Sequence, residues 1–182
     1  MRPRGRKAAF LLLAGLSAAS CSRPRPTEDR TRGARLEAEW TGADSGTFAA
    51  PATAEWCDTL NLLEIRGVHG DTGVGLAIYP GERVQGGTFP VVRPGPGDSV
   101  RPSARVAVRW FGELAIRGFQ GDSGAVVLTR NRDGTVGGRI DATARSVTDT
   151  GRLTVRGRFH GLPVRPASRG CVAGDSAGPG VH

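Results

Sequence analysis

An all-β chain, built as an antiparallel β-sandwich of about nine or ten strands, is the architecture this sequence points to. Runs of alternating apolar and polar residues recur at roughly 8–14-residue intervals, each half-buried if extended. Glycine, at 28 of 182 residues, and proline, at 12, punctuate the runs. No segment sustains apolar residues at helical spacing. A closed antiparallel β-barrel satisfies the same pattern. The sandwich is preferred because the inward positions are rich in Ala and Gly, while a ligand-holding barrel favours a roomier, more aromatic lining.

The first strand covers Arg35 to Thr41, with Leu36, Ala38 and Trp40 on one face and Glu37 and Glu39 on the other. After a turn at Gly42–Thr47, Phe48 to Asp58 is extended and carries Trp56 and Cys57. Next comes a segment that occurs twice. Ile65-Arg66-Gly67-Val68-His69-Gly70-Asp71-Thr72-Gly73 is matched by Ile116-Arg117-Gly118-Phe119-Gln120-Gly121-Asp122-Ser123-Gly124, and each copy is followed by an apolar run. A strand, a Gly-Asp-hydroxyl-Gly turn and a second strand make a β-hairpin. Two hairpins are therefore expected, Leu60–Val68 with Val74–Tyr79, and Glu113–Phe119 with Ala125–Arg130.

Between them, Gly86 to Val92 reads as a strand with an edge or irregular character at Pro90. Residues 93–103 are a Pro- and Gly-rich loop. Ala104 to Phe111 alternates, with Val106, Val108 and Trp110 inward. Asp133-Gly134 marks a tight turn. Val136–Val147 then directs Ile140, Ala142 and Ala144 to one face and Asp141, Thr143 and Arg145 to the other. Leu153–His160 alternates again, and a last short strand near Gly161–Val164 leads to Cys171.

The N-terminus stands apart. Arg2, Arg4, Arg6 and Lys7 precede an apolar stretch, Ala8 to Ala19, of about a dozen residues, below the ~20 that a membrane-spanning helix needs. Ala18, Ala19 and Ser20 then lead into Cys21. This resembles a bacterial lipoprotein signal with a lipobox, with Ala18 where leucine is usual. The resemblance implies removal of residues 1–20, acylation of Cys21, and a cell-envelope protein held to the membrane by its N-terminal lipid. Ser22 leans the expected location to the outer membrane. Residues 21–34 read as the lipidated cysteine and a flexible tether, 35–172 as the β-domain and 173–182 as a disordered Gly-rich tail. The mature part is similar to small uncharacterised all-β envelope lipoproteins.

With Cys21 lipidated, Cys57 and Cys171 remain, and an exported chain meets an oxidising compartment, so a disulfide is their expected use. The formal charge of +8 shrinks once the signal is gone, because four basic residues and no acid leave with it. Twenty-one basic residues then face seventeen acidic ones. The arginines are spread along strands and accompany no nucleic-acid-binding motif, so no nucleic-acid partner is expected. No cofactor or metal is expected either, since neither Cys57 nor Cys171 has a further ligand at metal-site spacing. His69 and His160, with Asp71 or Asp122, are the one combination that could meet in space as a metal site.

Gly121-Asp122-Ser123-Gly124 is similar to the nucleophile segment of chymotrypsin-like serine proteases. That resemblance implies Ser123 as nucleophile, with His69 as base and Asp98 as its orienting carboxylate. Ala125 stands where a glycine usually follows, and Gly-Val-His-Gly surrounds the histidine. The repeat argues the other way: a turn accounts for both copies and a nucleophile for one. The expected role is non-enzymatic binding or scaffolding, toward an envelope protein or a small ligand. A serine hydrolase and a lipocalin-like carrier of an apolar molecule are the alternatives.

Overall fold

Small inward residues let a sheet curl tightly, and here the curl is complete. A computed structural model of the chain describes residues 33–93, 102–112 and 115–167. Nine strands follow in order: β1 Arg35–Gly42, β2 Gly46–Cys57, β3 Leu62–His69, β4 Thr72–Tyr79, β5 Gly87–Pro90, β6 Ser103–Phe111, β7 Ile116–Arg130, β8 Thr135–Ser146 and β9 Arg152–Pro166. Eight of them form a ring in sequence order, and β1 closes it against β9 over Arg35↔His160 to Gly42↔Leu153. The chain is thus an up-and-down antiparallel barrel, and the preferred sandwich gives way to its alternative. Strand β5 pairs with β7 from Gly87↔Leu128 to Pro90↔Ala125, filling a gap beside β6. The end of β9 likewise runs parallel to β2 at Ala54↔Val164, where β1 has not yet begun.

The physical reason for the barrel lies in the residues that argued against it. An eight-stranded barrel has an interior just wide enough for side chains to fill. Inside, small residues make room for rings: Gly67 faces the Phe48 ring, with 3.0 Å between its virtual Cβ and the ring edge, and Gly138 lies against Phe159. Leu36, Leu63, Ile65, Ile78 and Leu162 fill the rest and are wholly buried. At one end Trp40 stacks on Trp110 at 5.5 Å, and Trp110 on Phe119 at 5.3 Å. Strands β1 and β6 lie opposite each other in the ring, so this stack crosses the lumen. The Trp40 indole N–H has no hydrogen-bond partner among the described residues, a cost of about 1–3 kcal/mol that aromatic burial must offset.

The first of the twin segments behaves as expected. Gly70 and Asp71 turn the chain between His69 and Thr72, with Gly70 at φ +53°. The second does not. Gly121 to Gly124 lies inside the continuous 15-residue β7, and the expected second hairpin does not exist. Gly121 pairs with Ala144 and Ser123 with Thr143, so Asp122 is one extra residue, a β-bulge. Gly124 takes φ +111°, and a Cβ there would overlap the Asp141 carbonyl. A second bulge at His160–Gly161 keeps β9 continuous where two strands were expected. Both bulges let long strands bend around the wall.

The turns β1–β2, β3–β4, β6–β7 and β8–β9 share one end of the barrel, the distal end. The chain enters β1 and leaves β9 at the other.

An arginine-lined cleft on the outer wall

The bulge positions a concentrated group of charges. Its extra residue, Asp122, points outward with its side chain only 18% exposed. Arg93, just beyond β5, donates from Nη2 to Oδ1 at 2.6 Å. Arg145 on β8 donates from Nε to Oδ2 at 2.7 Å, and Nη1 of Arg152 on β9 lies 4.0 Å from the same oxygen.

Strand register explains the crowding. Gln120 pairs with Arg145, and Arg145 with Arg152, so two guanidiniums stand directly opposite each other on neighbouring strands. Like charges so placed repel. Asp122 relieves that repulsion, but one carboxylate cannot neutralise three arginines. The Arg145 hydrogen bond, followed by that of Arg93, holds the Asp122 carboxyl below the usual aspartate range against the opposing effect of burial. A depressed folded-state value means that its contribution is present above the ordinary aspartate range and is lost only as pH falls through the lowered one.

These groups border a cleft of about 700 Å3 lined by Arg93, Gln120, Arg145, Val147, Asp149 and Arg152, among others. The β8–β9 turn forms its distal wall. Asp149 is occupied there, accepting from the Gly151 N–H at 2.7 Å, and this bond holds its carboxyl below the usual range. Three arginines against the Asp122 and Asp149 carboxylates leave the cleft one positive charge in excess, with guanidinium N–H groups beyond those that Asp122 accepts. Guanidiniums present paired N–H donors to carboxylate or phosphate oxygens.

The serine constellation is not assembled. Ser123 is exposed in the middle of β7 beside Thr143. His69 ends β3 at the distal turn opposite Thr72. Strands β4 and β6 separate β3 from β7, roughly 14 Å across the sheet at the usual strand spacing. Asp98 lies outside the described residues. His69 at the distal end and His160, paired with Arg35 where β1 begins, sit at opposite ends of the barrel. Among the described residues no group of three His, Cys, Asp or Glu could hold a metal. Cys57 ends β2, 5% exposed, and is disulfide-bonded. Cys21 and Cys171 lie outside the described residues.

Sequence reasoning placed Arg145 on the outer face but never joined it to Asp122. The signal was present. A turn at Asp133-Gly134 followed by a strand reaching residue 146 demands an equally long partner running back through Asp122, which brings residue 145 beside it. No known protein family, curated protein or solved structure matches this chain.

Proposed function

We propose that the mature protein is a non-enzymatic, lipid-anchored envelope domain that binds an anionic group in the arginine cleft of β7, β8 and β9. The observation that carries this reading is the sharing of one bulge carboxylate, Asp122, among Arg93, Arg145 and Arg152 at the cleft mouth. An incoming carboxylate or phosphate would complete the neutralisation that Asp122 begins. The three arginine side chains are 44–56% exposed, so each such contact contributes about 0.2–1 kcal/mol and several must act together.

Calorimetric titration with inorganic phosphate and with succinate tests it. Saturable binding to the wild type is expected, weakened severalfold in Arg145→Gln, with the near-ultraviolet circular dichroism of the folded barrel retained. Equal, non-saturating heats for both proteins would remove the proposal.

The anchor is the second half of the reading. It rests on the Ala18-Ala19-Ser20-Cys21 segment, and the outer membrane is the proposed location. Metabolic labelling with palmitate should mark the wild type and leave Cys21→Ser unlabelled; label persisting in the variant would place the lipid elsewhere.

A further inference from the structure

The four large hydrophobic side chains most exposed among the described residues are Val68, Phe111, Ile116 and Val147, each 55–63% exposed. All four lie on the outer wall toward the distal end. Phe111 pairs with Ile116 across β6 and β7. One step down, Arg109 pairs with Gly118, whose carbonyl accepts the Val147 N–H at 2.9 Å. Gly118 presents no side chain, and Val147 leans over it: a virtual Cβ on Gly118 would come within 3.1 Å of the valine methyl. Phe111, Ile116 and Val147 thus border a shallow apolar floor, and Val147 also lines the arginine cleft. Val68 lies two strands further round, on β3, beside a separate groove that Arg109 also lines.

We propose that this floor and the cleft form one docking surface for a protein partner, taking an extended acidic segment whose facing side chains, at every second residue, include both carboxylates and aliphatic or aromatic groups. The proposal rests on the anion reading of the cleft and names its ligand. Charge complementarity selects the occupant. Arg109 flanks the floor, and Arg93, Arg145 and Arg152 line or border the cleft beside it, against the Asp122 and Asp149 carboxylates; Asp71 meets Phe111 through its backbone carbonyl. A free phosphate would leave the apolar floor wet; a segment with both chemistries covers it. The position agrees. Both ends of the described chain leave from the opposite end, so an N-terminal anchor would leave this surface facing away from its own membrane.

The test uses the full chain carrying Cys21→Ser, so that no lipid interferes. The probes are a blocked peptide with glutamate and leucine taking turns at every second position and serine between them, its glutamine counterpart, and inorganic phosphate. The glutamate peptide should bind at least tenfold more tightly than either of the others. Ile116→Ser, outside the cleft lining, should weaken the peptide severalfold and leave phosphate unchanged, while Arg145→Gln should weaken both. Phosphate bound as tightly as the peptide would overturn the docking surface and leave the anion cleft standing. Binding of neither probe would remove both. Sedimentation of the protein with phosphatidylglycerol vesicles, or self-association, lost on Ile116→Ser would assign the floor to a bilayer or to a second copy and overturn the proposal.

Discussion

Phe119→Ala is expected to lower the unfolding free energy by about 3–5 kcal/mol, among the largest effects a single truncation can have in this domain. Phe119 is 2% exposed, and its ring lies nearly parallel to that of Trp110, at 9°. Trp110 in turn meets Trp40 from the far side of the ring of strands. Deleting the phenyl group removes the base of that stack and opens a void that backbone fixed by ladder bonds on both sides of β7 cannot close. Thermal unfolding followed by near-ultraviolet circular dichroism would read a fall in Tm of roughly 10–20 °C. A fall of only about 3 °C would mean that the aromatic stack does not hold the lumen together.

Loss of the disulfide at Cys57 should be comparably costly. If its partner is Cys171, as we propose, the bond closes a loop of about 115 residues, for which chain entropy gives roughly 4–5 kcal/mol. The bond would tie the end of β2 to the segment beyond β9, at the end of the barrel where β9 already runs beside β2. Without it the parallel pairing Ala54↔Val164 to Trp56↔Pro166 is the first ladder expected to fray. Unfolding in reductant should come about 10 °C or more below unfolding without it, and non-reducing peptide mapping should recover Cys57 joined to Cys171. Free thiols at both positions, with the same Tm in either condition, would refute the pairing.

Strand alternation made most of this fold legible. Leu36, Ala38 and Trp40, then Val106 and Val108, then Ile140, Ala142 and Ala144, all point where their spacing placed them. The closure did not show. The β1–β9 pairing joins residues more than a hundred positions apart, and no local pattern encodes it. The twin Gly-Asp-hydroxyl-Gly segments failed for a related reason. A turn and a bulge both need a glycine at positive φ, so the letters at 70–73 and 121–124 cannot distinguish them. What distinguishes them is the partner: β8 runs past the second segment on its far side and forces the chain straight on. The arginine cleft was hidden by the same error. Treated as the tip of a hairpin, Asp122 has no neighbours; set on the wall, it meets Arg93, Arg145 and Arg152.

The deciding question is whether those arginines act together on an anion. The Nε–H resonances of the arginines in the protein, followed by NMR during a phosphate titration, report this directly. Arg93, Arg145 and Arg152 should shift along one saturable curve, while Arg139 and Arg158, on the outer wall away from the cleft, stay still. Small shifts of every arginine in proportion to added salt would instead mean simple screening, and the cleft would be only a set of surface ion pairs.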